Sequence, residues 1–286
     1  MSTQITTAFV EQYKSNVLHL AQQKGSRLRD TVRYESVTGK NHFFERIGST
    51  SAQKRTSRHS DTPRMDTPHS RRRVSLDDYD WADLIDQEDK VRMLISPQSE
   101  YAMAGANAMG RAMDDAIIAA AVGNAYGGVS GGTTIALPSS QKVAHASGGL
   151  TVAKLLSAKE ILDGADVDPD EPRCCILSAK QVTDLLNTTE VKSSDYNTVK
   201  ALAQGELDTF LGFKFIRSER LGQDSTPNRQ VTVYCQSGLG LAVGADIQTR
   251  ISERDDKNYA TQVFLSMTIG ATRIEDEKVV EIACVE

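Results

Sequence analysis

At 286 residues and 31.2 kDa, with 39% hydrophobic and 25% charged residues, the chain has enough apolar material for one large or two modest domains, which excludes a wholly disordered or fibrous protein. Its formal net charge of −5 hides a local asymmetry that is the better guide to partners. Four cysteines (Cys174, Cys175, Cys235, Cys284) lack the spacing of zinc or redox motifs and read as reduced core residues of a cytosolic protein.

The opening MSTQITTAFVEQ has no basic stretch followed by an apolar one, so no signal peptide is expected. Phe9, Val10, Tyr13, Val17, Leu20 and Ala21 then recur at helical spacing, and Gly25 supplies a stop. This predicts a short amphipathic helix. A charged arm separates it from the body, so its apolar face is expected to dock on a partner chain or across the subunit surface.

That arm is the most informative stretch. From Lys40 to Arg73 it carries nine bases (Lys40, Arg46, Lys54, Arg55, Arg58, Arg64, Arg71, Arg72, Arg73) against three acids (Glu45, Asp61, Asp66). Val74 to Asp89 then carries seven acids (Asp77, Asp78, Asp80, Asp83, Asp86, Glu88, Asp89) and no base. Such a segment buries too little apolar surface to offset the entropy of ordering it, so it needs a neighbouring copy to hold it still. Asn41 to Ser49 and Arg71 to Leu76 are the candidate strands of a long hairpin, with a Ser, Thr, Pro and Arg rich tip between them. Basic arm and acidic run are expected to recognise each other between subunits. After Trp81 the run WADLIDQEDKVRML reads as a short acidic helix.

Ser96-Pro97 is a strong helix start, because the serine oxygen accepts an orphan amide and proline loses nothing at the first helical position. The helix is predicted to reach about Gly123, with Ala104, Ala108, Ala112 and Ala116 as a small-residue seam, Met109, Met113 and Ile117 beside it, and Arg111, Asp114 and Asp115 on a wet face. Residues 116–141 are uncharged, yet their aliphatic part ends at Val122, so they do not span a bilayer. Gly123 to Gly149 reads as a loop or loose strands. An α/β region follows, with helices around Val152 to Leu162 and Gln181 to Leu186 and strands at Arg173 to Leu177, Phe213 to Arg217 and Val231 to Cys235. Alternation in 247–251 and 263–269 about the loop Glu253 to Lys257 predicts a hairpin, and Val279 to Cys284 a closing strand. No internal repeat is found.

Candidate chemistry is sparse. Gly128-Val129-Ser130-Gly131-Gly132 fits a nucleophile-elbow pattern, but that motif needs a strand before it and a helix after it, whereas a helix is predicted to precede and a loop to follow. His42, His59 and His69 fit no metal spacing, and Asn187-Thr188-Thr189 is a glycosylation sequon without a secretory context. No catalytic, cofactor-binding or metal-binding residue is assigned. The rival reading treats the 40–73 block as a nucleic-acid-binding or other assembly module. It has few interleaved aromatics beyond Phe43 and Phe44, and the acidic run follows at once.

The order of these features resembles a known family. The hairpin with its DTP element, the runs DDYDWADLIDQEDK and PQSEYAMAGANAMGRAMDDAIIAAA, the segment SSDYNTVKALAQGELDTFLGFKFIRSERL and the hairpin ending YATQVFLSMTIGATRIEDEKVVEI are similar to major capsid proteins of tailed bacteriophages. The resemblance implies an α+β fold: an N-terminal arm (1–27), an extended β-hairpin loop (28–79), a peripheral domain with a long spine helix (80–128, completed by 246–275), an α/β axial domain (129–245) and a C-terminal strand (276–286). It implies a structural subunit that self-assembles through hexamers and pentamers into an icosahedral shell around double-stranded DNA, with no cofactor. The arm lacks the long coiled helix that some members begin with, so a separate scaffolding protein is expected. A portal protein at one vertex, packaged DNA held by non-specific proximity, assembly in the bacterial host cytoplasm and no membrane partner complete the expectation.

Overall fold

Strands of alternating polarity and one long helix organise the chain in a computed structural model, which describes residues 22–58, 61–62, 64–86, 98–146, 148–187, 209–224 and 228–286. Strand β1 (Arg33–Ser36) leads into the hairpin of β2 (Asn41–Ile47) and β3 (His69–Ser75), and β4 (Asp77–Ile85) follows one residue later. Helix α1 (Gln98–Val122) precedes three short strands, β5 (Ala125–Gly127), β6 (Thr133–Ile135) and β7 (Lys142–Val143). Next come α2 (Val152–Gly164), β8 (Arg173–Leu177), α3 (Ala179–Asn187), β9 (Thr209–Phe210) and β10 (Phe213–Arg217). The chain ends with β11 (Asn228–Cys235), β12 (Leu239–Arg254), β13 (Ala260–Arg273) and β14 (Val279–Val285).

Among the described residues these strands form three sheets, ordered β1-β12-β13-β4, β7-β14-β11-β8-β10-β9 and β2-β3-β5-β6. The six-stranded sheet is built around β8, whose five residues RCCIL are all buried, the continuous apolar pattern of a central strand. It holds all four cysteines, free and buried. Burial pushes Cys235 up to about 12 and Cys284 up to about 11, which keeps both thiols protonated and unreactive. Helix α2 packs on β14 from a Thr151 cap. Its buried Lys154 donates Nζ bonds to the carbonyls of His145, Gly148, Gly149 and Ala283 at 2.7 to 3.1 Å, and so ties the preceding loop to the last strand. Glu286 accepts from Arg229 at 2.6 Å, Gln181 at 2.9 Å and Ser178 at 3.1 Å; the arginine above all holds its carboxyl down to about 2.

Helix α1 lies on the β12–β13–β4 face, where Met109, Met113 and Ile117 are buried and each contributes on the order of 1.5–3 kcal/mol of transfer free energy. The closest approaches are glycines rather than the expected alanine seam. A Cβ at Gly105 would stand 2.7 Å from both Trp81 and Leu265, and one at Gly110 would stand 2.4 Å from the Gly25 carbonyl carbon. Ala104, Ala108, Ala112 and Ala116 are only half-buried.

Two sequence expectations are overturned here. Trp81 to Ile85, the first residues of the expected acidic helix, belong to strand β4: Tyr79, Trp81, Asp83 and Ile85 alternate with Asp78, Asp80 and Ala82, and this period of two pairs with β13 along its length, while residues 87–94 of that stretch lie outside the described residues. Asp114 is not on a wet face but fully buried. Its Oδ1 accepts from the Ser26 hydroxyl at 2.6 Å and from the Arg27 and Leu28 amides at 3.2 Å, and its Oδ2 accepts from the Gln23 amide and from Arg27 N at 3.1 Å. The carboxylate thereby fastens the segment before β1 across α1 at Gly110. Asp114→Ala strands these donors, each worth about 1–3 kcal/mol when left unmet in a buried site. The expected result is a melting temperature lowered by several degrees in the unassembled subunit, with early tryptic cleavage at Arg27 or Arg29, read by differential scanning fluorimetry and mass spectrometry.

The predicted N-terminal helix with Phe9, Val10, Tyr13, Val17 and Leu20, the Ser96-Pro97 start, and the acids Glu88 and Asp89 lie outside the described residues.

Candidate assembly surfaces

The β2–β3 hairpin is read best by strand parity. Phe44 faces Arg72 and His42 faces Val74 on one side; Phe43 faces Arg73 and Glu45 faces Arg71 on the other. Three consecutive arginines on a strand therefore cannot share a face, and the middle one has a separate role.

Arg72 is only 3% exposed, so it is not part of an intersubunit surface as expected from the sequence. Its Nη2 donates to Asp276 at 2.6 Å, and the same carboxylate accepts from Arg273, itself fully buried, at 2.6 Å. Arg273 also donates to the carbonyls of Ala121 (3.1 Å), Gly123 (2.6 Å) and Ile135 (3.0 Å), and Arg46 donates to Ile274 O at 2.8 Å. Burial lowers the pKa of Arg72, opposed by Asp276 beside it. This hub joins the hairpin, the C-terminal end of α1, the end of β6 and the end of β13, so it sets the angle at which the hairpin leaves the body. Arg273 and Asp276 went unread in the sequence; an arginine closing an apolar alternating strand with an acid three residues later was the available signal.

Beyond the hub the hairpin is polar and open. Arg71 pairs with Glu45 at 3.0 Å and stacks over Phe43, 5.2 Å from the ring centre. Lys54, Arg55, Arg58 and Arg64 at the tip are exposed. Arg64 approaches Asp66 only to 3.8 Å, with both side chains over nine-tenths exposed, a pair worth roughly 0–1 kcal/mol. The tip thus presents basic charge with little internal compensation.

The acidic counterpart lies on β4, an edge of the four-stranded sheet. Asp77, Asp78 and Asp80 are exposed, while Asp83 and Asp86 are half-buried. Asp78 accepts from Thr268 Oγ1 at 2.6 Å. Acids on an open edge also discourage indiscriminate strand addition. Among the described residues no ion pair joins these acids to the arm's bases, and Asp77, Asp78 and Asp80 face solvent.

Ser130 sits in the turn between β5 and β6. A short strand precedes it, not a helix as expected, and another strand follows, so the turn is a β-hairpin and not the strand-to-helix elbow that exposes a nucleophile. His42 bonds Glu35 at 2.9 Å, and His59 lies outside the described residues. Among the described residues no group of three or more His, Cys, Asp or Glu is placed to hold a metal ion, and no helix is long and apolar enough to cross a membrane.

A family model described as phage capsid protein matches residues 5–286. The fold is similar to the capsid of cyanophage P-SCSP1u, with a TM-score of 0.75 and 19% identity over 100% of this chain and 96% of that chain. It is similar also to the capsid of Ralstonia phage GP4 (TM-score 0.75, 10% identity, 96% of this chain and 95% of that chain) and of a native GTA particle (TM-score 0.71, 11% identity, 98% and 96%). No curated protein sequence matches.

Proposed function

The chain belongs to the phage capsid protein family, and from that premise we propose how its parts divide the work of building a shell. It is a structural subunit of the phage shell, assembles with copies of itself, and has its place in the virion. A stand-alone nucleic-acid-binding module is not favoured. Residues 1–27 act as an N-terminal arm whose face of Phe9, Val10, Tyr13, Val17 and Leu20 docks on another copy. Residues 28–79 are the extended loop, and 80–128 with 246–275 make a peripheral domain whose spine is α1. Residues 129–245 make the axial domain, closed by the 276–286 strand. The pairing of β4 with β13 beneath α1, separate from the six-stranded sheet, supports this division.

The observation that carries the mechanism is a hairpin with a basic tip (Lys54, Arg55, Arg58, Arg64) and an acidic edge (Asp77, Asp78, Asp80, with Asp83 and Asp86), with no ion pair between the two among the described residues; in sequence the acidic run continues to Glu88 and Asp89. Hexamers and pentamers form as the loop of one copy reaches the acidic run of another, with Arg46, Arg71 and Arg73 nearer its base. A scaffolding protein guides assembly in the host cytoplasm and a portal occupies one vertex. DNA lies nearby without specific contact, and no catalysis, cofactor or membrane partner is involved. Sedimentation of the purified chain with and without its scaffold, followed by electron microscopy, tests this. Rings or closed particles are expected; a single monomeric species under both conditions overturns it.

A further inference from the structure

Each member of the arginine triplet has a different environment, and Arg73 is the one left open. Arg71 is paired with Glu45 and Arg72 is committed to Asp276. Arg73 lies over the Tyr126 ring at 5.3 Å from its centre, and its Nε is buried without a hydrogen-bond partner. Among the described residues no ion pair reaches it. A guanidinium held over an aromatic ring already has part of its motion restricted, which suits its terminal Nη donors to bind a carboxylate at little further entropic cost.

The GVSGG turn is shaped around this side chain. Gly128 and Gly131 have φ of 88° and 68°, and Gly131 N closes the turn on Gly128 O at 3.1 Å. A Cβ on Gly131 would stand 2.6 Å from Arg73 Cβ and 2.7 Å from its Cδ. The turn therefore needs glycine there twice over, for its backbone angle and for room. The same turn displays Val129, 88% exposed, and the strand before it displays Tyr126, 42% exposed. An arginine over a tyrosine, with an exposed aliphatic side chain on the adjoining turn, has the composition of an interface centre rather than of a solvated loop.

We propose, building on the shell-subunit reading, that the Arg73–Tyr126–Val129 face is an intersubunit contact that receives the β4 acids of a second copy. Charge complementarity selects the occupant. Asp78 and Asp80 stand two residues apart on the outward side of an exposed edge strand, and neither has an ion-pair partner among the described residues. One of these carboxylates takes the Arg73 fork, while Val129 and Tyr126 exclude water around the pair.

Arg73→Glu is expected to lower the yield of closed particles about ten-fold or more, the scale of losing a desolvated arginine anchor. Combining it with Asp78→Arg and Asp80→Arg is expected to restore assembly in part. Arg73→Gln, which keeps the bulk of the side chain, and Gly131→Ala, which crowds it, should share the defect in weaker form. Ser130→Ala should assemble normally. Circular dichroism and thermal melts of each unassembled variant separate a lost contact from a lost fold. Normal assembly of Arg73→Glu overturns the proposal. So does assembly with poor DNA retention, which would make nucleic acid the occupant, or failure of the charge swap to restore particles from well-folded variants. These outcomes are distinct from failure of the shell reading, in which the unaltered chain itself forms no particles.

Discussion

Asp276→Ala is expected to lower the unfolding free energy of the isolated subunit by about 3–5 kcal/mol, the usual cost of removing one partner from a buried charge cluster. Two guanidiniums share that carboxylate, Arg72 at 3% exposure and Arg273 at 0%. Without it both remain buried beside each other, and the like-charge contact adds to the desolvation cost. Asp276→Asn should cost less, because the amide oxygen still accepts one bond while the counter-charge is lost. The hairpin should also loosen, since Arg72 and Arg46 are its ties to the turn at Ile274. Urea unfolding with hydrogen exchange at β2 and β3 reads both effects. A loss under about 1 kcal/mol would mean that the carbonyls around Arg273 hold the hub without its anion.

Reversing Arg55, Arg58 and Arg64 to glutamate together is expected to abolish shell closure while the subunit melts within a degree or two of the unaltered protein. These side chains are exposed and contribute nothing to the core. Single exposed pairs are weak, roughly 0–1 kcal/mol, and fade beyond about 8 Å at physiological salt. In the proposed assembly, repetition around a shell sums these small terms, since every copy carries both a basic tip and an acidic edge. Raising salt should mimic the variant in part. Reversal of Asp77, Asp78 and Asp80 to lysine in the same chain should partly restore particles. Normal closure of the triple variant, by sedimentation and electron microscopy, would remove the tip from the assembly mechanism.

Much of the fold could be read from the sequence because its elements obey local rules. RCCIL and FKFIR are short apolar strands and fold as β8 and β10, and the two strands about ERDDK pair as β12 and β13. Where charge was equated with exposure, the reading went astray. Asp114 is buried because four backbone and side-chain donors from residues 23–28 converge on it, a long-range fact that no helical wheel contains. The run WADLIDQEDKVRML reads as a helix, but its first residues, WADLI, belong to a strand that pairs along the edge of β13 with a period of two. The triplet Arg71-Arg72-Arg73 held its own warning: on a strand, the middle residue must face away from its neighbours. Its destination, the shared carboxylate of Asp276, lay some two hundred residues on in sequence and could not be inferred from local pattern.

The assembled shell, reconstructed by electron microscopy to side-chain resolution, puts the central claim to its most direct test: that a basic hairpin on one copy is held by an acidic edge on another. The account predicts that Arg55, Arg58 and Arg64, and Arg73 at the hairpin's base, stand within ion-pair distance of carboxylates from the 77–89 run of neighbouring subunits. A hairpin whose bases instead face the lumen against DNA density, with no neighbouring carboxylate in reach, would contradict it.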